Sequence, residues 1–280
     1  MKTIGFVDYY INEWHANNYP KWIKSLCEES GDDFCVKYAW AELDTAPAGG
    51  KTTDEWCAEY GVEKCETIEE LCQKADYIIV LCPSNPEKHL EYVERVFPFK
   101  KNTYVDKTFA PDLETAKKIY ALAEQYGTKF FSTSALRYAE EWEQLKGSRA
   151  IVTLGGGASV EEYIVHQVEM VVKVAQSTAT KIRVENQDAQ YFVRVLFKDG
   201  KQATMNFANM PFSMAGQSAV GGSNFLTAES PYFMNLIKDI LRFFKSGEVS
   251  FPAWETLEVM RIREAVVKGK KEKIGEWVEL

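Results

Sequence analysis

No run of apolar residues in this 280-residue chain approaches the length that a membrane span needs, so no membrane partner is expected. There is no basic block either, and the net charge is −8, which argues against a phosphate-backbone partner such as nucleic acid. The start lacks the apolar core of a secretory signal, since Met1-Lys2-Thr3 leads straight into a short strand-like run. Six cysteines (Cys27, Cys35, Cys57, Cys65, Cys72 and Cys82) form no C-x-x-C pair and all lie in the first third of the chain. Neither a metal site nor a disulfide framework is therefore expected, which leaves reduced structural thiols in a cytoplasmic protein. Histidine is scarce, with only three in the chain, and no glycine stands between Val7 and Gly31.

What is present is an ordinary globular balance, 46% apolar and 26% charged, in a length that suits one large domain or two modest ones. Strand candidates at 3–7, 36–42, 76–83, 102–107 and 129–134 alternate with helical stretches. The helices fall at about 19–29, 53–60 and 67–74, from Asn85-Pro86 onward, and over 112–127. The continuous apolar run DYIIVLCP fits a strand buried on both faces. Thr67 with Glu70 forms a capping box, while Asp112 caps a helix that Gly127 ends. This alternation predicts an α/β fold with a doubly wound parallel sheet. After a helix at about 139–145 the pattern turns strand-like, at 181–185, 191–197 and 202–208, with Lys198-Asp199-Gly200-Lys201 as a hairpin turn. Two helices close the chain, one between Ser230-Pro231 and Gly247 and one at about 253–268. The change of character puts a domain boundary near Ser134: an α/β domain over 1–134 and an α+β domain with an open, mainly antiparallel sheet over 135–280.

In doubly wound sheets, ligands sit beyond the carboxyl ends of the strands. The residues there are Asp8 to Glu13, then Asp44, then Pro83, Ser84 and Asn85, then Asp106, Lys107 and Thr108. Asp44, at the end of the second strand, suits a ribose hydroxyl. Lys107 can hold a substrate oxygen as acid or anchor, although taken alone its pattern favours a solvated loop lysine. AGGKTT (48–53) is not a phosphate loop, because Thr45 stands where the first glycine belongs and the segment follows the wrong strand. In 155–175, Val160, Ile164, Val168, Val171, Val172 and Ala175 fall on one helical stripe, and Glu162, His166, Glu169 and Lys173 on the opposite one. That polar stripe is either a solvated face or the wall of a cleft. In the second case Glu162 orients His166, and His166 moves a proton. The pattern leaves both readings open.

Taken in order, these segments resemble the glucose–fructose oxidoreductase/inositol dehydrogenase family, Gfo/Idh/MocA. The resemblance rests on CPSNPEKH (82–89), with Pro83, Asn85 and His89; on VDKTFAPDLETAKKIYALAEQYG (105–127), with Lys107 at the family lysine; on GGGASVEEYIVHQVEM (155–170), with Glu162, His166 and Glu169 in the polar places; and on the closing pair of helices. It implies a Rossmann domain binding NAD or NADP, and a second domain that binds a sugar, inositol or similar polyol and forms a homodimer or homotetramer. By that resemblance Lys107 and His166 are catalytic with Glu162 beside them. Asp8, Tyr9, Tyr10, Ile11, Asp44, Pro83, Asn85, His89 and Asp106 face the cofactor, and Arg137 and Tyr163 line the substrate pocket.

The departures are equally specific. Asp8 and Tyr10 occupy the first two places of the family's G-x-G-x-x-G, and the third falls on Asn12 or Glu13. Side chains there obstruct the approach of backbone N–H groups to a diphosphate, and acids repel it. This opens an alternative: a relative that has lost dinucleotide binding and serves as a small-molecule binding or regulatory protein. The short stretch between Arg137 and Gly155 predicts a trimmed second domain without its usual strand there.

Overall fold

Strand β1 (Lys2–Tyr10) buries Ile4, Phe6 and Val7 without alternation, as a strand covered on both faces must. It continues past the expected 3–7 through Asp8, Tyr9 and Tyr10, because these residues still pair with the second strand, up to Tyr10 opposite Leu43. There follow α1 (Trp14–Ser30), β2 (Phe34–Leu43), α2 (Thr53–Tyr60), β3 (Glu63–Lys64), α3 (Ile68–Lys74), β4 (Tyr77–Val80), α4 (Lys88–Val96), β5 (Thr103–Val105), α5 (Leu113–Tyr126) and β6 (Phe130–Phe131). In the computed structural model, which describes residues 1–218 and 221–280, these six strands form one parallel sheet in the order β3-β2-β1-β4-β5-β6. That is the doubly wound Rossmann order, with β1 and β4 adjacent at the switch point.

Helix α1 starts at Trp14 rather than near Tyr19. Pro20 lacks an N–H and therefore reads as a first-turn residue, but the helix carries it inside. The cap is Glu13, which is not among the side chains usually preferred there. Other ends follow the sequence signals. Thr52 and Glu55 form a capping box on α2, Asp112 caps α5, and Gly127 ends it with φ 69°.

The second sheet is built from β7 (Ala150–Gly155), β8 (Ala179–Gln187), β9 (Gln190–Phe197), β10 (Gln202–Phe207), β11 (Ser213–Gln217), β12 (Ser223–Thr227) and β13 (Trp277–Glu279). Its order is β12-β11-β7-β10-β9-β8-β13, and only the β7/β10 pair is parallel. Strand β7 corrects the expectation of a trimmed domain. It is present, central and paired on both sides, and it was hidden because so short a run alternates only weakly before the glycines. Where a helix was expected at 139–145 there are two 3-10 turns, Ala135–Tyr138 and Glu140–Leu145. Helix α6 (Val160–Ala175) lays its apolar stripe into a core with Ile182, Val184, Val193, Val195 and Met205. Each such buried side chain contributes roughly 1.5–3 kcal/mol.

Helices α7 (Tyr232–Ser246) and α8 (Ala253–Glu272) close the chain. The chain forms two compact units, Met1–Thr133 with Leu236–Ser250, and Ser134–Asn235 with Phe251–Leu280. Most of α7 thus packs with the first unit. Phe244 stacks on Tyr77 at 4.7 Å, and Asn102 donates to the carbonyls of Phe243 and Phe244.

Candidate functional site

In the first unit, the ligand end of the parallel sheet is acidic and largely buried. Asp8 closes the top of β1 with 1% exposure. Its Oδ1 accepts the N–H of Tyr9 at 2.7 Å and of Cys82 at 3.0 Å, which ties β1 to the end of β4, while its Oδ2 is buried without a partner. Asp106, also 1% exposed, follows β5; its Oδ1 accepts from the Tyr104 hydroxyl, and its Oδ2 lies 3.6 Å from His15 Nδ1. Glu13 sits 3.1 Å from the same nitrogen and also accepts the N–H groups of His15 and Ala16. Burial first, and then the charge of Glu13, push the Asp8 carboxyl well above the ordinary carboxylate range.

A raised native pKa means that the folded state favours the neutral acid. The contribution of Asp8 to stability is thus complete below its unfolded pKa and is lost as pH rises through the native one. Asp8→Asn removes that loss and keeps an oxygen for the two backbone donors. Thermal melts of the variant should match wild type at pH ~4 and lie above it at pH ~8. A variant that melts lower at the alkaline pH would refute this account of Asp8.

Lys107 follows Asp106 directly, is half-buried, and makes no salt bridge among the described residues. Its loop is held from below by His89, which is fully buried with Nδ1 2.9 Å from the Phe109 carbonyl and Nε2 2.7 Å from the Leu81 carbonyl. Burial pushes the His89 imidazole down, and the two carbonyls work against that. Both ring nitrogens are committed to backbone, so His89 links α4, the end of β4 and the loop after Lys107. Pro83 is buried, and Asn85 is half-buried and donates to Glu87. Asp44 stands exposed after β2, with Oδ1 3.3 Å from the Thr53 N–H and 3.7 Å from Lys64. Tyr9 and Tyr10 are half-buried and pack on each other at 5.9 Å, and Ile11 is buried.

Burial pushes Cys57 and Cys65 up to about 11 and Cys72 up to about 12, which removes thiolate character at neutral pH. Among the described residues, no group of three or more His, Cys, Asp or Glu side chains is arranged to hold a metal ion.

In the second unit, the polar stripe of α6 is not uniform. His166 is half-buried, with Nδ1 2.7 Å from Ser134 Oγ, and its ring lies 5.7 Å from Tyr163 and 5.6 Å from Phe212. The three glycines before α6 permit this frame. A Cβ on Gly157 would sit 2.1 Å from the Tyr163 ring, and one on Gly156 would sit 2.2 Å from the Ala208 carbonyl. The stripe's other carboxylate, Glu169, is buried and turned to Arg137. Arg137 is 6% exposed, pairs with Glu169 and with Glu255 (the latter at 2.6 Å), and lies 4.0 Å above the Phe251 ring. Burial opposes its charge, but the two carboxylates more than offset this and hold the guanidinium above its ordinary range. Glu162 and Tyr163 are half-buried in the first turns of α6, which Ser159 caps.

The sequence pattern singled out neither Ser134 as a site residue nor Glu13 as a cap. Ser134 carried a faint signal, since it ends the KFFSTS strand where the second unit begins. Glu13 carried none as a cap, because the helix was expected to start only near Tyr19 and glutamate is not a usual cap.

These features define a Rossmann-type unit followed by a mixed-sheet unit. Residues 42–134 match the oxidoreductase family with an NAD-binding Rossmann fold, Gfo/Idh/MocA, so the resemblance read from the sequence is borne out. The match begins after the β1–α1 turn, at the end of β2. A stretch of 60 residues is 33% identical to the uncharacterized oxidoreductase YhhX of Escherichia coli K12, covering 21% of this chain and 17% of that protein. The whole fold is similar to a probable dehydrogenase from Thermotoga maritima, at TM-score 0.80 and 12% identity, over 99% of this chain and 98% of that one. It is similar also to scyllo-inositol dehydrogenase from Lactobacillus casei with bound NAD(H) and scyllo-inositol, at TM-score 0.77 and 12% identity, covering 99% and 98%. A putative myo-inositol dehydrogenase from Sinorhizobium meliloti gives TM-score 0.75 at 12% identity, covering 100% and 99%. No helix among the described residues is long and apolar enough to cross a membrane.

Proposed function

We propose that this chain is an NAD(P)-dependent oxidoreductase that moves hydride between a nicotinamide and a hydroxyl-bearing carbon of a sugar, inositol or related polyol. The observation that carries the reading is the place of Lys107. It lies just beyond β5, at the ligand end of a Rossmann sheet, within the stretch that matches the family. There its ammonium holds the reacting oxygen and stabilises negative charge on it. His166 takes or returns the hydroxyl proton, and the Ser134 hydroxyl fixes its ring. Glu162 and Tyr163 add polar contacts for the other hydroxyls, and Asp44 receives a ribose hydroxyl. Arg137, expected to line the pocket, serves instead to hold Glu169 and Glu255.

The inositol dehydrogenases of the same fold support a polyol as substrate. A homodimer or homotetramer is supported by one partly exposed row across the second sheet. Phe225, Ala215, Val152, Thr204, Arg194, Arg183 and Trp277 are successive cross-strand partners, and Phe225 and Val152 are 61% and 40% exposed. The acidic β1–α1 turn favours the second reading, a relative that binds its small molecule without a dinucleotide.

The test is a calorimetric titration with NADH and NADPH, followed by inositols and simple sugars offered with NAD⁺ or NADP⁺. Binding and reduction of the nicotinamide are expected. No binding at millimolar cofactor would sink the enzyme reading in favour of the second one.

A further inference from the structure

The diphosphate of a dinucleotide ordinarily meets the first N–H groups of the helix after β1, which have no partner within the helix. In this chain two of those groups, the N–H of His15 and of Ala16, are already engaged. Glu13, in extended backbone at φ −130°, turns its carboxylate onto the N–H of His15 at 2.7 Å and onto the N–H of Ala16. It supplies what a phosphate would supply, anionic oxygens at the positive end of the helix dipole. Behind it lies Asp8, with a buried Oδ2 that has no partner, and Asp106 adds its own charge to the same neighbourhood. A diphosphate brought to this turn meets occupied donors and a cluster of acids. In this conformation the turn does not fit that group.

We infer that Glu13 is an internal occupant of the diphosphate seat, so that a dinucleotide reaches the start of α1 only by displacing it. The inference rests on the oxidoreductase reading for the identity of the ligand, but it concerns affinity rather than chemistry. A glutamate is long enough to reach two amides at once, and both lie in the first turn of the helix, where a phosphate would bind. Its side chain is 8% exposed, so it is packed into the turn and does not wave above it. The wild-type chain is thereby expected to hold NAD(P)(H) weakly by its diphosphate, whatever the rest of the sheet offers to the nucleoside.

The test uses the full chain as wild type, Glu13→Ser and Glu13→Gly, titrated calorimetrically with NADH, NADPH and ADP. Serine keeps a helix cap, which guards against loss of fold, and circular dichroism checks both variants. Both variants should bind all three ligands about tenfold tighter or more, and ADP should gain as much as the dinucleotides, because the gain resides in the diphosphate. Equal affinity in wild type and variants would overturn the inference while leaving the oxidoreductase reading intact. A gain in binding with no oxidation of any polyol by wild type or variant would do the reverse.

Discussion

Lys107→Ala and His166→Ala are each expected to lower turnover of a confirmed polyol by about 10²–10⁴, the usual worth of a positioned acid or base. Cofactor titrations of both variants should resemble wild type, since neither side chain is assigned to the nucleotide. Steady-state kinetics should therefore show the loss in kcat. Ser134→Ala removes the hydrogen bond that steadies the His166 ring, together with the one the same hydroxyl accepts from the Leu136 N–H, and its loss of turnover should be smaller, about five- to tenfold for a bond worth ~1 kcal/mol. If Lys107→Ala turns over the same substrate at the wild-type rate, the assignment of the reacting oxygen to Lys107 fails.

Arg137→Ala is expected to destabilise the fold by about 3–5 kcal/mol, because it strands the carboxylates of Glu169 and Glu255 in a buried place. Replacing all three residues with apolar side chains of similar size should be nearly neutral, since it removes the charges together with their partner. Urea unfolding of the single and triple variants measures both effects. A single variant within ~1 kcal/mol of wild type would show that the triad is solvated in solution rather than buried.

The β1–α1 turn shows how one sequence can state a fold and contradict a site. Its position is set by everything downstream, by the DYIIVLCP strand, the capped α5 and the lysine after β5. Its own side chains place a carboxylate where an anion should bind. The two facts separate because the fold needs only the apolar strand and the helix, whereas binding needs open N–H groups at one end of that helix.

The sequence alone determined the alternation of strands and helices, the parallel sheet that follows from it, and the caps at Thr67, Asp112 and Gly127. These are local or periodic signals, and propensity and hydrophobic burial act on them residue by residue. It also marked Lys107 and His166, since strand ends and helix stripes are legible from spacing. Only the tertiary structure decided that Arg137 is spent on two glutamates, that Ser134 meets His166, that His89 is closed between two carbonyls, and that Glu13 fills the head of α1. The Arg137, Ser134 and His89 contacts join residues far apart in the chain, whose pairing no local pattern encodes. Glu13 lies beside its partners, yet whether its carboxylate turns onto the helix depends on where α1 starts. That start lies at Trp14, well before Pro20, with Glu13 as its cap.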